Sequence, residues 1–380
     1  MYNKSGLWRQ DMSMRIGVLT GGGDCPGLNP AIKWVVKTAL DSRLKRERNL
    51  EFEVVGIREG WRGITDIDIR WEEGLRNYII SLDEAAVRTW DRYGGTNLGT
   101  SRTNPFEPGN DRSGKLIDNL KHLNIEALVA IGGEDTLGVA HKLSKMGVKI
   151  VGIPKTIDKD LSGTDYTLGF ESAVQVITEE IDRLRTTAGS HRRVFVVETM
   201  GRHAGWLALE GGEASGAFII LIPEYDFEMG RINDLLLEGR SRGNRYDIMV
   251  VSEGARAKGG KGIARGQEKD SFGHVTLGGV GEFLAKGIER STGLETRSVT
   301  LSHLQRGGAP CAFDRRMGRY FGIAAVDLIV NGDFGQMVSF RNGEVTAVPL
   351  EEAVGKLNTV DVETQYDTER YNGRRTLLTR

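Results

Sequence analysis

The glycines constrain this chain most. There are 51 of them among 380 residues, and they gather in pairs and triplets: Gly21-Gly22-Gly23, Gly94-Gly95, Gly132-Gly133, Gly211-Gly212, Gly278-Gly279 and Gly307-Gly308. Each cluster follows a short apolar, strand-like run. Glycine after a strand lets the backbone turn sharply and lets a ligand come up against main-chain N–H groups. Repeated along one chain, the pattern predicts a site lined by loops.

The elements around these clusters alternate in type. Ile16–Thr20 reads as a strand and Ala31–Leu40 as a helix with Pro30 in its first turn. Glu53–Arg58 is a strand, Lys115–Leu123 a helix, Ala127–Ile131 a strand, Thr136–Met146 a helix and Lys149–Ile153 a strand. The alternation restarts with strands at Val194–Glu198, Ala217–Ile222 and Asp247–Ser252, and helices at Ser172–Thr187 and Gly279–Thr292. Strands alternating with helices make right-handed βαβ units and a mainly parallel sheet. In such sheets ligands bind beyond the carboxyl ends of the strands. The expected fold is α/β, in two Rossmann-like three-layer lobes with mainly parallel sheets and a cleft between them. Residues 1–13 are mixed and polar, so Met14-Arg15 marks the expected start of the fold; the tail after Val360 is polar and carries no readable role.

Composition removes several classes. The formal net charge is −1, which gives no broad attraction to nucleic acid or an anionic membrane. No apolar run approaches the roughly 18 residues of a membrane span, and MYNKSGLWRQDMSM lacks the apolar centre of a signal peptide. Two cysteines, Cys25 and Cys311, make neither a disulfide framework nor a metal cluster, and they fit a reducing, cytoplasmic compartment.

Three loops of the first half carry chemistry. Thr20-Gly21-Gly22-Gly23-Asp24-Cys25-Pro26-Gly27-Leu28-Asn29 has neither the dinucleotide spacing nor that of the P-loop. It still offers backbone donors and a helix dipole to an anion, against the plain alternative of a tight strand–helix turn. In Gly132-Gly133-Glu134-Asp135-Thr136 two carboxylates stand ready for Mg²⁺. Taken alone, an acidic helix start explains them better. In Pro154-Lys155-Thr156-Ile157-Asp158-Lys159-Asp160, read as an extended stretch, Asp158 and Asp160 share one face and Lys159 takes the other. That pairing suits general-base and metal-linked roles, and Lys155 and Thr156 supply donors for phosphoryl oxygens; the plain alternative is a solvated charged turn. In the second half, Met200-Gly201-Arg202-His203-Ala204-Gly205-Trp206 and Leu301-Ser302-His303-Leu304-Gln305-Arg306-Gly307-Gly308 follow strands and place arginine and histidine beside glycine, a phosphate-binding composition.

The ordered set GGGDCPGLN, GGTNLGTSRT, GGEDT, PKTIDKD, MGRHAGW, SEGA and SHLQRGG, between about Met14 and Asp327, resembles the 6-phosphofructokinases and most of all their pyrophosphate-dependent bacterial members. The resemblance implies phosphoryl transfer to the 1-hydroxyl of fructose 6-phosphate with Mg²⁺. It implies a phosphoryl-donor lobe over 14–169 plus 304–355 and a sugar-phosphate lobe over 170–303 plus 356–380. Asp158 matches the base that takes the hydroxyl proton. Thr156 and Asp160 match its neighbours, Arg102 an arginine bridging the donor phosphates and the transferred group, and Gly23 a backbone donor to that group. Glu134 stands where the family usually has a magnesium-linked Asp. Met200, Gly201, Arg202, Glu253, His303 and Arg306 match the sugar-binding set. Arg193 and Arg297 match arginines that reach the 6-phosphate from a neighbouring subunit, which implies a homodimer or homotetramer.

The donor turns on two positions. ATP-using members typically have glycine where this chain has Asp135, and often glycine where it has Lys155. A carboxylate at Asp135 repels and blocks the region of a nucleotide's α-phosphate, and Lys155 neutralises pyrophosphate instead. An ATP-dependent enzyme on the same fold is the rival reading. Two departures from the family pattern also count. Lys159 replaces the usual Asn or Gly between the aspartates: pointing away it changes little, and folded back it lowers the pKa of the base, which is the one feature favouring a catalytically silent sugar-phosphate-binding subunit. Ser215-Gly216-Ala217-Phe218 lacks a Glu that resembles part of the nucleotide-effector site of regulated relatives, so little or no nucleotide allostery is expected.

Overall fold

A computed structural model describes residues 13–70, 72–260, 264–269, 275–277 and 279–378. Most of the N-terminal extension, and Gly278, lie outside them.

The first sheet has seven strands. They are β1 (Ser13–Thr20), β2 (Glu51–Ile57), β3 (Ile79–Leu82), β4 (Ala127–Gly132), β5 (Ile150–Pro154) and, from late in the chain, β10 (Gln336–Arg341) and β11 (Glu344–Pro349). Their order is β11-β10-β5-β4-β1-β2-β3, parallel except for the two outermost pairings. The second sheet has four parallel strands, β6 (Val194–Thr199), β7 (Ile219–Leu221), β8 (Asp247–Ser252) and β9 (Thr296–Thr300), in the order β9-β6-β8-β7. Every residue of β4, β6 and β8 is buried. Central parallel strands are covered on both faces, so they read as unbroken apolar runs rather than alternating ones.

Helices fill the layers. The ones that position the site are α1 (Leu28–Ala39), α2 (Glu134–Lys145), α3 (Phe170–His191), α4 (Trp206–Ala214), α5 (Val280–Thr292) and α6 (Ala312–Asn331). None of the described helices is long and apolar enough to cross a membrane. α6 lies against α1 closely enough that a Cβ on Gly322 would sit 2.8 Å from the Ala31 carbonyl oxygen.

Two sequence expectations need correction. Gly211-Gly212 is not a loop after a strand: it lies inside α4, packed on Ile177 and Ile220, where small residues let the helix approach its neighbours. Residues 156–160 do not continue β5 as an extended stretch. The chain turns there, and Lys159 takes a left-handed backbone with φ of 55°. The polar tail also has a place. Tyr366 donates to the Ile220 carbonyl at 2.6 Å, and Ile220 N–H donates back to the Tyr371 carbonyl at 2.7 Å, so the tail closes the β7 edge of the second sheet.

Candidate active site

In the first sheet β1 is flanked by β2 on one side and β4 on the other. The chain therefore leaves β1 in both directions, and a crevice opens at the carboxyl ends of β1 and β4. Gly21–Gly23 follow β1, Gly133–Thr136 follow β4 and Lys155–Asp160 follow β5. The carboxyl ends of the second sheet face the same opening: Met200–His203 follow β6, Glu253 follows β8 and Arg306 lies just past β9. One cleft is lined by Gly22, Gly23, Arg102, Gly133, Glu134, Asp135, Thr136, Lys155, Thr156, Asp158, Asp160, Met200, Arg202, His203, Glu253, Arg306 and Leu357.

The glycine-loop side of the cleft is drawn tight by buried polar contacts. Lys155 is buried, and its ammonium donates to the Gly23 carbonyl. Burial pushes its pKa down from the usual lysine value. Arg306 reaches from beyond the second sheet to donate to the Asp24 carbonyl at 3.1 Å. A Cβ on Gly23 would fall 2.2 Å from the Arg306 Nη1, so only glycine leaves that guanidinium in place. Thr100 Oγ1 donates to the Gly22 carbonyl at 2.6 Å and joins the loop before Arg102 to the first glycines.

Thr156 organises the carboxylates. Its hydroxyl donates to Asp160 Oδ1 at 3.1 Å and accepts from the Asp158 N–H at 3.1 Å. Asp158 Oδ1 is buried without a hydrogen-bond partner. Burial raises the Asp158 pKa, while Arg306, Arg202 and Lys155 oppose the rise. Asp160 is raised to about 6 and Glu253 to about 7, each by burial first and by the Asp158 charge second. The arginines and the lysine thus offset part of the cost of burying the Asp158 anion, and the Asp158 charge adds to the rise at Asp160 and Glu253.

Lys159 points away from this group. It pairs with Glu210 at 2.8 Å and lies 4.8 and 4.9 Å from the Phe170 and Trp206 ring centres. Lys159 is not among the charges acting on Asp158, so the one feature in favour of a silent subunit is gone.

Four expected residues lie off the cleft wall. Arg193 precedes β6 and Arg297 pairs with Phe195 near the start of β9, at the amino ends of their strands, away from Met200. Both hold Glu295, each at 2.7 Å. His303 is exposed, with Nδ1 3.0 Å from the Ser302 hydroxyl. Gly201 does not line the cleft either, but its carbonyl accepts from Ser252 Oγ and from the Gly254 N–H. Five lining residues were missed as site residues, of which Gly22, Gly133 and Thr136 lie in the glycine loops already singled out. His203 lies within a segment already singled out. Leu357 arrives from the polar tail with no local signal.

Among the described residues no group of three His, Cys, Asp or Glu side chains is arranged to grip a metal alone. Glu134, Asp158 and Asp160 nonetheless edge one cleft beside backbone phosphate donors. That set fits a hard divalent ion that keeps most of its shell as phosphate oxygens and water.

A glycine-cradled anion site facing a buried carboxylate and a basic second lobe defines a phosphoryl-transfer enzyme of the two-lobed α/β class. Comparison with known proteins gives the family. The phosphofructokinase profile matches residues 15–329. A Streptomyces coelicolor protein named pyrophosphate–fructose 6-phosphate 1-phosphotransferase is 50% identical over 349 residues, 92% of this chain and 96% of that one. A second protein of that organism, named ATP-dependent 6-phosphofructokinase 2, is 45% identical over 94% of this chain and 99% of its own length. The structure of Pichia pastoris phosphofructokinase superposes with a TM-score of 0.76 at 31% identity, covering 93% of this chain and 39% of that longer one. The chain belongs to the phosphofructokinase family.

Proposed function

We propose that the protein transfers a phosphoryl group from pyrophosphate to the 1-hydroxyl of fructose 6-phosphate, giving fructose 1,6-bisphosphate and inorganic phosphate, reversibly. The observation that carries this is the unpartnered, buried Asp158 Oδ1 at the point where the glycine-lined donor side and the Arg202–Glu253 side of one cleft meet. Asp158 takes the hydroxyl proton. The sugar oxygen bonds to the terminal phosphorus, the bridging P–O bond breaks, and phosphate leaves. Burial makes Asp158 a stronger base than an exposed carboxylate. Arg102, Lys155 and the Gly23 backbone spread the charge of a transition state that depends mainly on positioning and electrostatics. Glu134 and Asp160 would hold Mg²⁺ beside the donor, and it would supply further charge neutralisation. Arg202, Glu253, Met200 and the Gly201 backbone hold the sugar. Arg193 and Arg297 serve the 6-phosphate in a neighbouring subunit's site, together with His303 at the rim.

Asp135 and Lys155 support pyrophosphate as the donor. Both line the cleft beside Gly22 and Gly23, where the longer phosphate chain of a nucleotide would meet the Asp135 carboxylate. The ATP reading keeps one observation in its favour, the 45% identity to a protein bearing that name. A coupled assay with fructose 6-phosphate and Mg²⁺, run in parallel with pyrophosphate and with ATP, tests both. Turnover with pyrophosphate alone is expected, and Asp135→Gly should admit ATP. Turnover of the unaltered protein with ATP alone would overturn the donor assignment while leaving the acceptor intact.

A further inference from the structure

The segment 355–360 leaves the first sheet after β11 and crosses to the second, and on the way it touches Glu134, the 159–161 turn and Trp206. The Gly355 N–H approaches Glu134 Oε1 at 3.4 Å. Leu357 bridges to Leu161 and lines the cleft. The Val360 N–H donates at 2.9 Å to Glu224 Oε1, which also accepts from the Gly205 N–H at 2.8 Å. Asn358 is the centre of this strap. Its N–H donates to the Asp160 carbonyl at 2.8 Å, its Nδ2 donates to the Lys159 carbonyl at 2.9 Å, and its own carbonyl accepts from Trp206 Nε1 at 3.0 Å.

These contacts have a physical role. The left-handed turn at Lys159 takes residues 159 and 160 out of any strand or helix, so their carbonyls need partners from elsewhere. Asn358 supplies both. Trp206 opens α4 immediately after the Met200–Gly205 segment that faces the sugar. The Lys159 side chain adds a second tie to the same helix through Glu210 and the Trp206 ring. The turn that carries Asp158 is therefore pinned to the sugar-side loop by two routes.

We infer that Asn358 is a positioning residue: by joining the 158–160 turn to Trp206, it sets the distance between the Asp158 carboxylate and the sugar hydroxyl. The inference rests on the reading of Asp158 as the base. A displacement of about 1 Å at such a group can cost on the order of 10²-fold in rate. Asn358→Ala, which removes the side-chain bond to the Lys159 carbonyl and leaves both main-chain bonds, should lower kcat about 5-fold or more while the Kd for fructose 6-phosphate, measured by calorimetry, stays within about 3-fold. Asn358→Asp keeps the shape but turns an acceptor toward the Lys159 carbonyl, and it should be at least as slow. In both variants amide exchange over 156–161 should quicken more than in the sheets. Lys159→Asn, which tolerates the left-handed backbone, should keep more activity than Lys159→Val, which does not.

A kcat within about 2-fold of the unaltered protein, or a rate loss matched by equal loss of sugar binding and faster exchange throughout the fold, overturns the inference. If the unaltered protein turns over with neither donor, the proposed function fails; the exchange result then judges the strap by itself, and unchanged exchange over 156–161 overturns it.

Discussion

At the residue scale, the cleft holds carboxylates that would ionise more readily outside it. Asp160 is shifted from 3.8 to about 6 by burial and by the neighbouring Asp158 charge. Between these values the folded protein binds a proton that the unfolded chain has released, so stability falls as pH rises through that window. Above it Asp160 costs the fold up to about 3 kcal/mol, and the cost disappears only well below the unfolded value of 3.8. Asp160→Asn keeps an oxygen for the Thr156 hydroxyl and removes the charge. Chemical denaturation of the ligand-free protein should show the variant more stable than the parent at pH 7.5, with the difference shrinking as pH falls through about 6 toward 3.8. Equal stability of the two across that range would mean that Asp160 is not strained by burial. The same crowding explains a departure from the sequence reading: the sharing of a face by Asp158 and Asp160 comes from the turn at Lys159 and the Thr156 hydroxyl, and not from strand alternation.

At the element scale, the close contact of α1 and α6 ties the late segment carrying Arg306 to the first sheet. Arg306 ends the short helical turn before α6 begins, so the register of α6 on α1 helps decide where that guanidinium lies. Gly322 faces backbone on α1, which cannot move aside as a side-chain tip can. Gly322→Ala should gain helix propensity yet lose about 1–3 kcal/mol to overpacking. A thermal melt should show Tm lowered by a few degrees, and an unchanged or raised Tm would show that the helices can separate without cost. The elements read from periodicity are present, with ends displaced by only a few residues, while β3, β10, β11, α4 and α6 were not read from the sequence. Ala127–Ile131 grew to Ala127–Gly132, and Ser172–Thr187 grew to Phe170–His191. The loss at Gly211-Gly212 is instructive, because a glycine pair has the same sequence appearance in a phosphate loop and at a helix contact.

At the scale of the whole molecule, the arginines expected for the 6-phosphate lie at the amino ends of β6 and β9, holding Glu295 rather than the cleft of their own chain. If they serve a neighbour, two inactive proteins should repair each other. Asp158→Asn should lose about 10²–10⁴-fold in kcat. Arg193→Ala with Arg297→Ala should lose sugar binding. Mixed under conditions that exchange subunits, a dimer should regain roughly a quarter of the parental activity, since half the pairs carry one complete site. No recovery in an exchanged mixture, checked by native mass spectrometry, would place those arginines outside any shared site.

The sequence by itself determined the strand–helix alternation through Lys149–Ile153, most of the glycine loops at strand ends and the residue types suited to phosphate, because periodicity and local backbone chemistry act over a few neighbouring positions. Asp158, Lys155 and Arg202 were found this way. Tertiary structure alone decided which side Lys159 takes, that Arg306 presses on Gly23, that Leu357 lines the cleft and that Asn358 backs the 159–160 turn. Those contacts join positions far apart in the chain, and they exist only once two sheets have set their carboxyl ends face to face.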